Sequence, residues 1–187
     1  VSAPDGSIVP ITSVDELLTV LAAGRDLFDG DPVDLLDHAL QCAHELAMRR
    51  PDDDEMQVAG LVHDLGHHLV PGDDPGHGAN ARAAIGGLLG DRVATLVEHH
   101  VAAKRYLVAT DPQYAALLSP ASVRTLGNQG GTMTPDELHT YASLPHWEDG
   151  LEVRRADDAA KVPGRVVPDL HTWRPLLERV AARAATR

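Results

Sequence analysis

The chain reads DDDEMQVAGLVHDLGH over residues 52–67. Pro51 and the acidic run Asp52, Asp53 and Asp54 open a helix: a proline fits a helix start, and carboxylates there oppose the partial positive charge of unpaired N–H groups. Met56, Ala59, Leu61 and Val62 carry the helix on, and Leu65 with Gly66 ends it. His63 and Asp64 stand side by side near that end. Neighbours on a helix point about a quarter-turn apart, so the two can reach one metal ion or share two. A bridging carboxylate such as Asp64 holds two ions about 3.5–4 Å apart.

Helix signals continue on both sides of this stretch, and strand alternation is nearly absent. Upstream, Ser13 and Glu16 form a capping box ahead of Leu17, Leu18 and Leu21. Asp31 and Pro32 place a cap and a first-turn proline before a helix running to about Arg50. Downstream, the stretch from Val70 to Gly78 is rich in Gly, Pro and Asp and reads as a loop. Helices are expected over about Ala79–Leu89 and Arg92–Val108. Ser119-Pro120 and Thr134-Pro135 read as further N-caps, the second a capping box with Glu137, joined by Gly127 to Thr132. The last helices cover Trp147–Lys161 and His171–Ala185. The expected fold is therefore all-α, a single domain over residues 1–187 with its core at about 28–162 and helical extensions at both ends.

Composition narrows the function. At 187 residues the chain fits one domain, and about 70% of its extended surface can be buried, so no disulfide is needed. Cys42 is the single cysteine, which excludes an internal disulfide and points to a reducing, cytoplasmic setting. The first residues show no basic stretch with an apolar core, and the opening Val1 leads us to expect a trimmed start. With 28 acidic and 16 basic residues, the net charge of −12 repels nucleic acid and anionic membrane, so neither is expected as a partner. Only Lys104 and Lys161 among the basic residues are lysines. Lys161 reads as ordinary. Lys104 follows the pair His99-His100 and is either a leftover or a residue kept for function.

Eleven histidines is a high count for this length. His38, His63, Asp64, His77, His100 and Asp157 stand out, because imidazole and carboxylate together suit iron, zinc and manganese. A lone histidine is more often structural than a ligand, and His-Asp adjacency alone is weak. The combination of a histidine, a later His-Asp pair and a much later Asp is far less common by chance. It resembles the HD-domain superfamily, whose helices gather those four ligands, and His77 with His100 supplies what a second metal requires.

The surrounding text narrows the resemblance. His63-Asp-Leu-Gly-His67, His100-Val-Ala-Ala-Lys104, Leu118-Ser-Pro-Ala-Ser122, Gln129-Gly-Gly and Arg154-Arg-Ala-Asp157-Asp are similar to the HD-domain mixed-valent di-iron phosphonate oxygenases of the PhnZ type. The likeness covers about Phe28 to Val162, and inositol oxygenase is a more distant relative. It implies a helical HD bundle with two iron ions, Fe(II)/Fe(III), and O2 as co-substrate. One iron would be held by His38, His63, Asp64 and Asp157, the other by Asp64, His77 and His100. His100 is preferred to His99 because the lysine follows it by four residues, which also places both on one helix face. The resemblance gives His67, Lys104, Ser122, Gln129 and Arg154 a grip on a phosphonate, with His67 and Lys104 as the catalytic candidates. Such donors suit tetrahedral anionic oxygens.

Two positions depart from the family. Its Tyr and Glu, ten and seven residues before the first ligand histidine, are Phe28 and Asp31 here. Phe28 cannot cap an iron. Asp31 reads equally as a helix cap or as a substrate-binding residue facing an amine. The expected activity is O2-dependent cleavage of the C–P bond of a small α-hydroxyphosphonate, releasing phosphate. The alternatives are an HD-type metal-dependent phosphohydrolase acting on a phosphate ester, and an HD-fold ligand sensor. Oligomeric state is not legible.

Overall fold

Ser13 opens α1 (Val14–Ala22) by accepting from Glu16 N, while Glu16 reaches back to Thr12 N rather than to Ser13 itself. The structure, a computed structural model, describes residues 7–186, so the expectation about Val1 falls outside the described residues. Helix α2 (Leu35–Arg49) starts later than the sequence suggests, because Asp34 caps it and Asp31 does not. The reason lies in the preceding turn. Leu35 N bonds Leu27 O at 2.8 Å, and Asp34 also accepts from Arg25 and from Asp26 N, so the chain is pinned at Asp34 before it winds into the helix.

Helix α3 (Asp54–Val62) is capped by Asp53 and stops just before the His-Asp pair. Asp64 leaves helical geometry at φ −96°, ψ 11°, and α4 (Leu65–Leu69) follows. The pair therefore sits at a break, where His63 Nε2 and Asp64 Oδ2 come within 3.2 Å of each other. Helix α5 (His77–Leu89) begins earlier than the sequence suggests, and α6 (Asp91–Thr110) runs the expected course. Helix α7 (Pro112–Leu117), capped by Asp111, was not anticipated. Then come α8 (Pro120–Asn128), capped by Ser119, and α9 (Pro135–Ala142), whose Thr134–Glu137 capping box is complete. Helix α10 (Trp147–Ala159) ends short of Lys161, and a 3-10 turn (Leu170–Trp173) precedes α11 (Arg174–Ala184). The all-α class holds: the described residues form no β-sheet. Among the described residues no helix is long and apolar enough to cross a membrane.

Helix α3 packs against α2 and α6, and α10 lies against the same two helices. Leu46, Met56, Leu61, Leu96 and Val153 are buried between them, each worth about 1.5–3 kcal/mol of transfer from water. Gly60 sets the spacing of α2 and α3. A Cβ there would lie 2.6 Å from Leu46 Cδ1 and 3.2 Å from the Cys42 backbone. A smaller cluster of Ala103, Leu107, Met133, Tyr141 and Leu151 ties α9 to α6 and α10. Four elements thus bring their inner faces to one place: α2, the α3–α4 break, α5–α6, and the end of α10.

Candidate metal centre and substrate pocket

Four buried histidines converge, and each is oriented through its Nδ1. That nitrogen lies 3.0 Å from Ala160 O in His38, 2.8 Å from Gly60 O in His63, 2.6 Å from Asp74 O in His77 and 2.5 Å from Val97 O in His100. A carbonyl can only accept, so Nδ1 carries the proton and Nε2 of the neutral ring presents a lone pair. The Nε2 atoms of His38 and His63 are 3.2 Å apart, and those of His77 and His100 are 2.9 Å apart. In neutral rings the lone pairs would face each other at these distances and repel, unless a proton or a metal ion lies between them.

Asp64 stands between the two pairs. Its Oδ2 is 3.2 Å from Nε2 of both His38 and His63. Its Oδ1 is 3.5 Å from His77 Nε2 and 3.4 Å from His100 Nε2. Asp157 Oδ1 completes the first group at 3.2 Å from His38 Nε2 and 3.9 Å from His63 Nε2. Two donor clusters share one carboxylate, one oxygen each, which is the arrangement two adjacent ions need. His99 stays outside, with its ring against Tyr141.

Gly66 makes this convergence possible. A Cβ at that position would lie 1.9 Å from His77 O, so only glycine lets α4 approach the start of α5 this closely.

The electrostatics fit cation binding. Burial disfavours the imidazolium of His38, but hydrogen bonds to Asp157 and Asp64 outweigh it and push the group up to about 10. Burial also opposes the charged forms of Asp64 and Asp157, yet their cationic neighbours, His63 for the first and Arg154 for the second, hold both well below the usual carboxylate range. Burial pushes His100 down to about 4, which keeps it neutral and ready to ligate. Protons on the His38 side hold the place a metal would take, so metal uptake there releases protons.

Beside the carboxylates opens a cleft of about 420 Å³, counting the space that joins solvent. Asp31, His67, Lys104, Ser122, Gln129 and Arg154 all border it, together with Asp64, His77, His100 and Asp157; His38 and His63 lie beneath. His67 stacks on His77, with ring centroids 4.2 Å apart. Lys104 Nζ donates to Thr125 Oγ1 at 2.7 Å and has no ion-pair partner among the described residues. Burial, with Arg154 nearby, pushes it down to about 8. Arg154 is more committed: it pairs with Asp157 Oδ2 at 2.5 Å, with Asp158, and with Tyr114 Oη at 3.1 Å. It therefore steadies Asp157 as well as bordering the cleft. Gln129 donates to Asp74 O, and its Oε1 is buried without a partner among the described residues.

Sequence reasoning missed Lys161. Instead of an ordinary surface lysine, it borders the cleft, 2.6 Å from Asp31 Oδ2, 3.3 Å from Ser122 Oγ and 3.6 Å from Asp157 Oδ1. The available signal was its spacing, four residues after Asp157. Asp29 and Thr125 also border the cleft unannounced. Phe28, at the family's tyrosine position, is 62% exposed and lines a neighbouring apolar hollow with Leu27 and Leu35.

No family model matches the chain. It is 31% identical over 165 residues to the 1-hydroxy-2-(trimethylamino)ethylphosphonate dioxygenase (glycine-betaine-forming) of Leisingera caerulea, covering 84% of each chain. It is 34% identical over 177 residues to the hydroxymethylphosphonate dioxygenase of Gimesia maris, covering 90% of this chain and 86% of that one. A protein of unknown function from Acanthamoeba polyphaga mimivirus is 30% identical over 164 residues, covering 82% and 74%.

Proposed function

Because this chain belongs to the family of the phosphonate dioxygenases, we propose that it is an O2-dependent oxygenase that cleaves the C–P bond of a small α-hydroxyphosphonate within one HD-type helical domain. The observation that carries this reading is the division of Asp64 between two Nε2 pairs. His38, His63, Asp64 and Asp157 would hold one iron, and Asp64, His77 and His100 the other. The two ions, when bound, supply the redox and O2 chemistry that side chains lack. A ligand sensor has no need to converge six such donors.

The chain's own residues do the rest. Lys104 is a buried ammonium without an ion-pair partner among the described residues, and a phosphonate is the charge it lacks. Ser122 and Arg154 add hydroxyl and guanidinium donors on the same wall, and His67 stands over His77 at the mouth. These donors would orient the carbon bearing phosphorus toward Asp64 and the two histidine pairs, and the narrow cleft would limit competing water. The overall change balances as one α-hydroxyphosphonate dianion and one O2 giving one carboxylic acid and one hydrogen phosphate. The betaine-forming name of one relative accords with an acid product.

Oxygen uptake and phosphate release, measured together on the iron-loaded protein with hydroxymethylphosphonate and larger α-hydroxyphosphonates, test the reading. One O2 consumed per phosphate is expected with at least one of them. Phosphate released from a phosphate ester without oxygen uptake would establish the hydrolase instead.

A further inference from the structure

The loop at Asp31 and the segment after α10 meet across the cleft, and both ends of that meeting are charged. Both oxygens of Asp31 are occupied: Oδ2 by Lys161 Nζ at 2.6 Å, and Oδ1 by the hydroxyl of Ser119, which donates at 3.1 Å. The pair is enclosed, with side-chain exposure of 9% for Asp31 and 14% for Lys161. Lys161 is also held from behind. The buried Gln41 accepts from Val162 N at 3.1 Å and donates to Val162 O at 3.0 Å, clamping the adjacent backbone onto α2. Lys161 Nζ thus stands 3.3 Å from Ser122 Oγ, which Arg154 approaches to 3.4 Å from the other side. Lys104 borders the same cleft.

Resting on the oxygenase reading of this site, we propose that Lys161 is a substrate-binding cation and Asp31 its internal counter-ion, so that the enzyme takes α-hydroxyphosphonates without a cationic substituent. Asp31 occupies Lys161 until a phosphonate oxygen replaces it. An ammonium arriving at Asp31 would have to displace Lys161 and then remain beside a like charge, which is costly in a partly buried site. Phe28, turned outward from the same loop, brings no oxygen to the centre. The position that could have recognised an amine is already neutralised from within.

Anaerobic calorimetric titration of the iron-loaded protein with three probes tests this: inorganic phosphate, hydroxymethylphosphonate and a 2-amino-1-hydroxyalkylphosphonate. Asp31→Asn removes the competing charge and is expected to tighten all three by a similar factor. Lys161→Ala is expected to weaken all three by about tenfold, the scale of one close charge pair, with Lys161→Arg restoring most of the loss. Wild type is expected to prefer hydroxymethylphosphonate to the amine. Selective loss of the amine probe in Asp31→Asn, or a wild-type preference for that probe, would overturn the proposal. Unchanged affinities in a folded Lys161→Ala protein would do the same. Should Lys161→Ala fail to fold, the Asp31→Asn comparison decides. Phosphate affinities that follow the expected pattern without oxygen uptake on either phosphonate would refute the oxygenase reading while supporting the assignment of Lys161.

Discussion

Asp64 differs from the other converging side chains in approaching both histidine pairs, and as the proposed shared ligand it has a distinct mutational signature. Asp64→Ala is expected to lose both ions, whereas His77→Ala should lose the ion shared with His100 and keep the other. Metal analysis of the two purified variants checks this; equal losses would mean that the carboxylate does not bridge. The residues that converge were legible because their types and order are rare together. His100 could be told from His99 through the lysine four residues on, and the structure agrees by pointing His99 at Tyr141. Lys161 was missed, since its one signal, the spacing of four residues from Asp157, is common by chance. Its role comes from the Gln41 clamp, which brings together residues 121 positions apart.

At the scale of elements, caps and glycines decide where the ligands fall. Asp34 caps α2 through Asp37 N at 2.8 Å and takes part in the Arg25 pairing. Asp34→Ala should cost about 1 kcal/mol, a fall of about 2–4 °C in melting temperature for a chain of this size. Asp31 caps nothing but pairs with Lys161, so Asp31→Ala should leave the first turn of α2 intact, and amide hydrogen exchange at that turn separates it from Asp34→Ala. The sequence placed the cap at Asp31 because Asp-Pro is a good helix start. What it could not show is that Leu35 N would bond Leu27 O and delay the helix. Gly66 is the second such point. Gly66→Ala forces α4 away from His77 O, 1.9 Å from the new Cβ, and is expected to lower the iron content toward one ion per chain with most helicity retained. Circular dichroism with iron analysis tests this; two ions retained in a folded variant would show that the close approach is dispensable. The helical periodicity was plain in the sequence. The short α7 was not, because none of its few residues is fully buried and they show no apolar stripe.

For the whole molecule, the helices act as a scaffold that gathers four imidazoles and the carboxylates of Asp64 and Asp157, with Arg154 and Lys161 beside Asp157. A metal that binds this folded arrangement and not the unfolded chain stabilises it, so folding and metal binding should be linked. Removing iron with a chelator is expected to lower the melting temperature, and restoring it is expected to raise the melting temperature by an amount that grows with the free metal concentration. The fold class could be read from the sequence because helix caps and periods are local signals. The cleft could be read only in part, because it depends on contacts between the Asp31 loop, α8 and the end of α10 that no local pattern announces. The central claim is a two-ion centre bridged by Asp64. Its most direct test is the iron content of anaerobically reconstituted, fully folded protein. Two irons per chain are expected, and a value of one or less would contradict the dinuclear site.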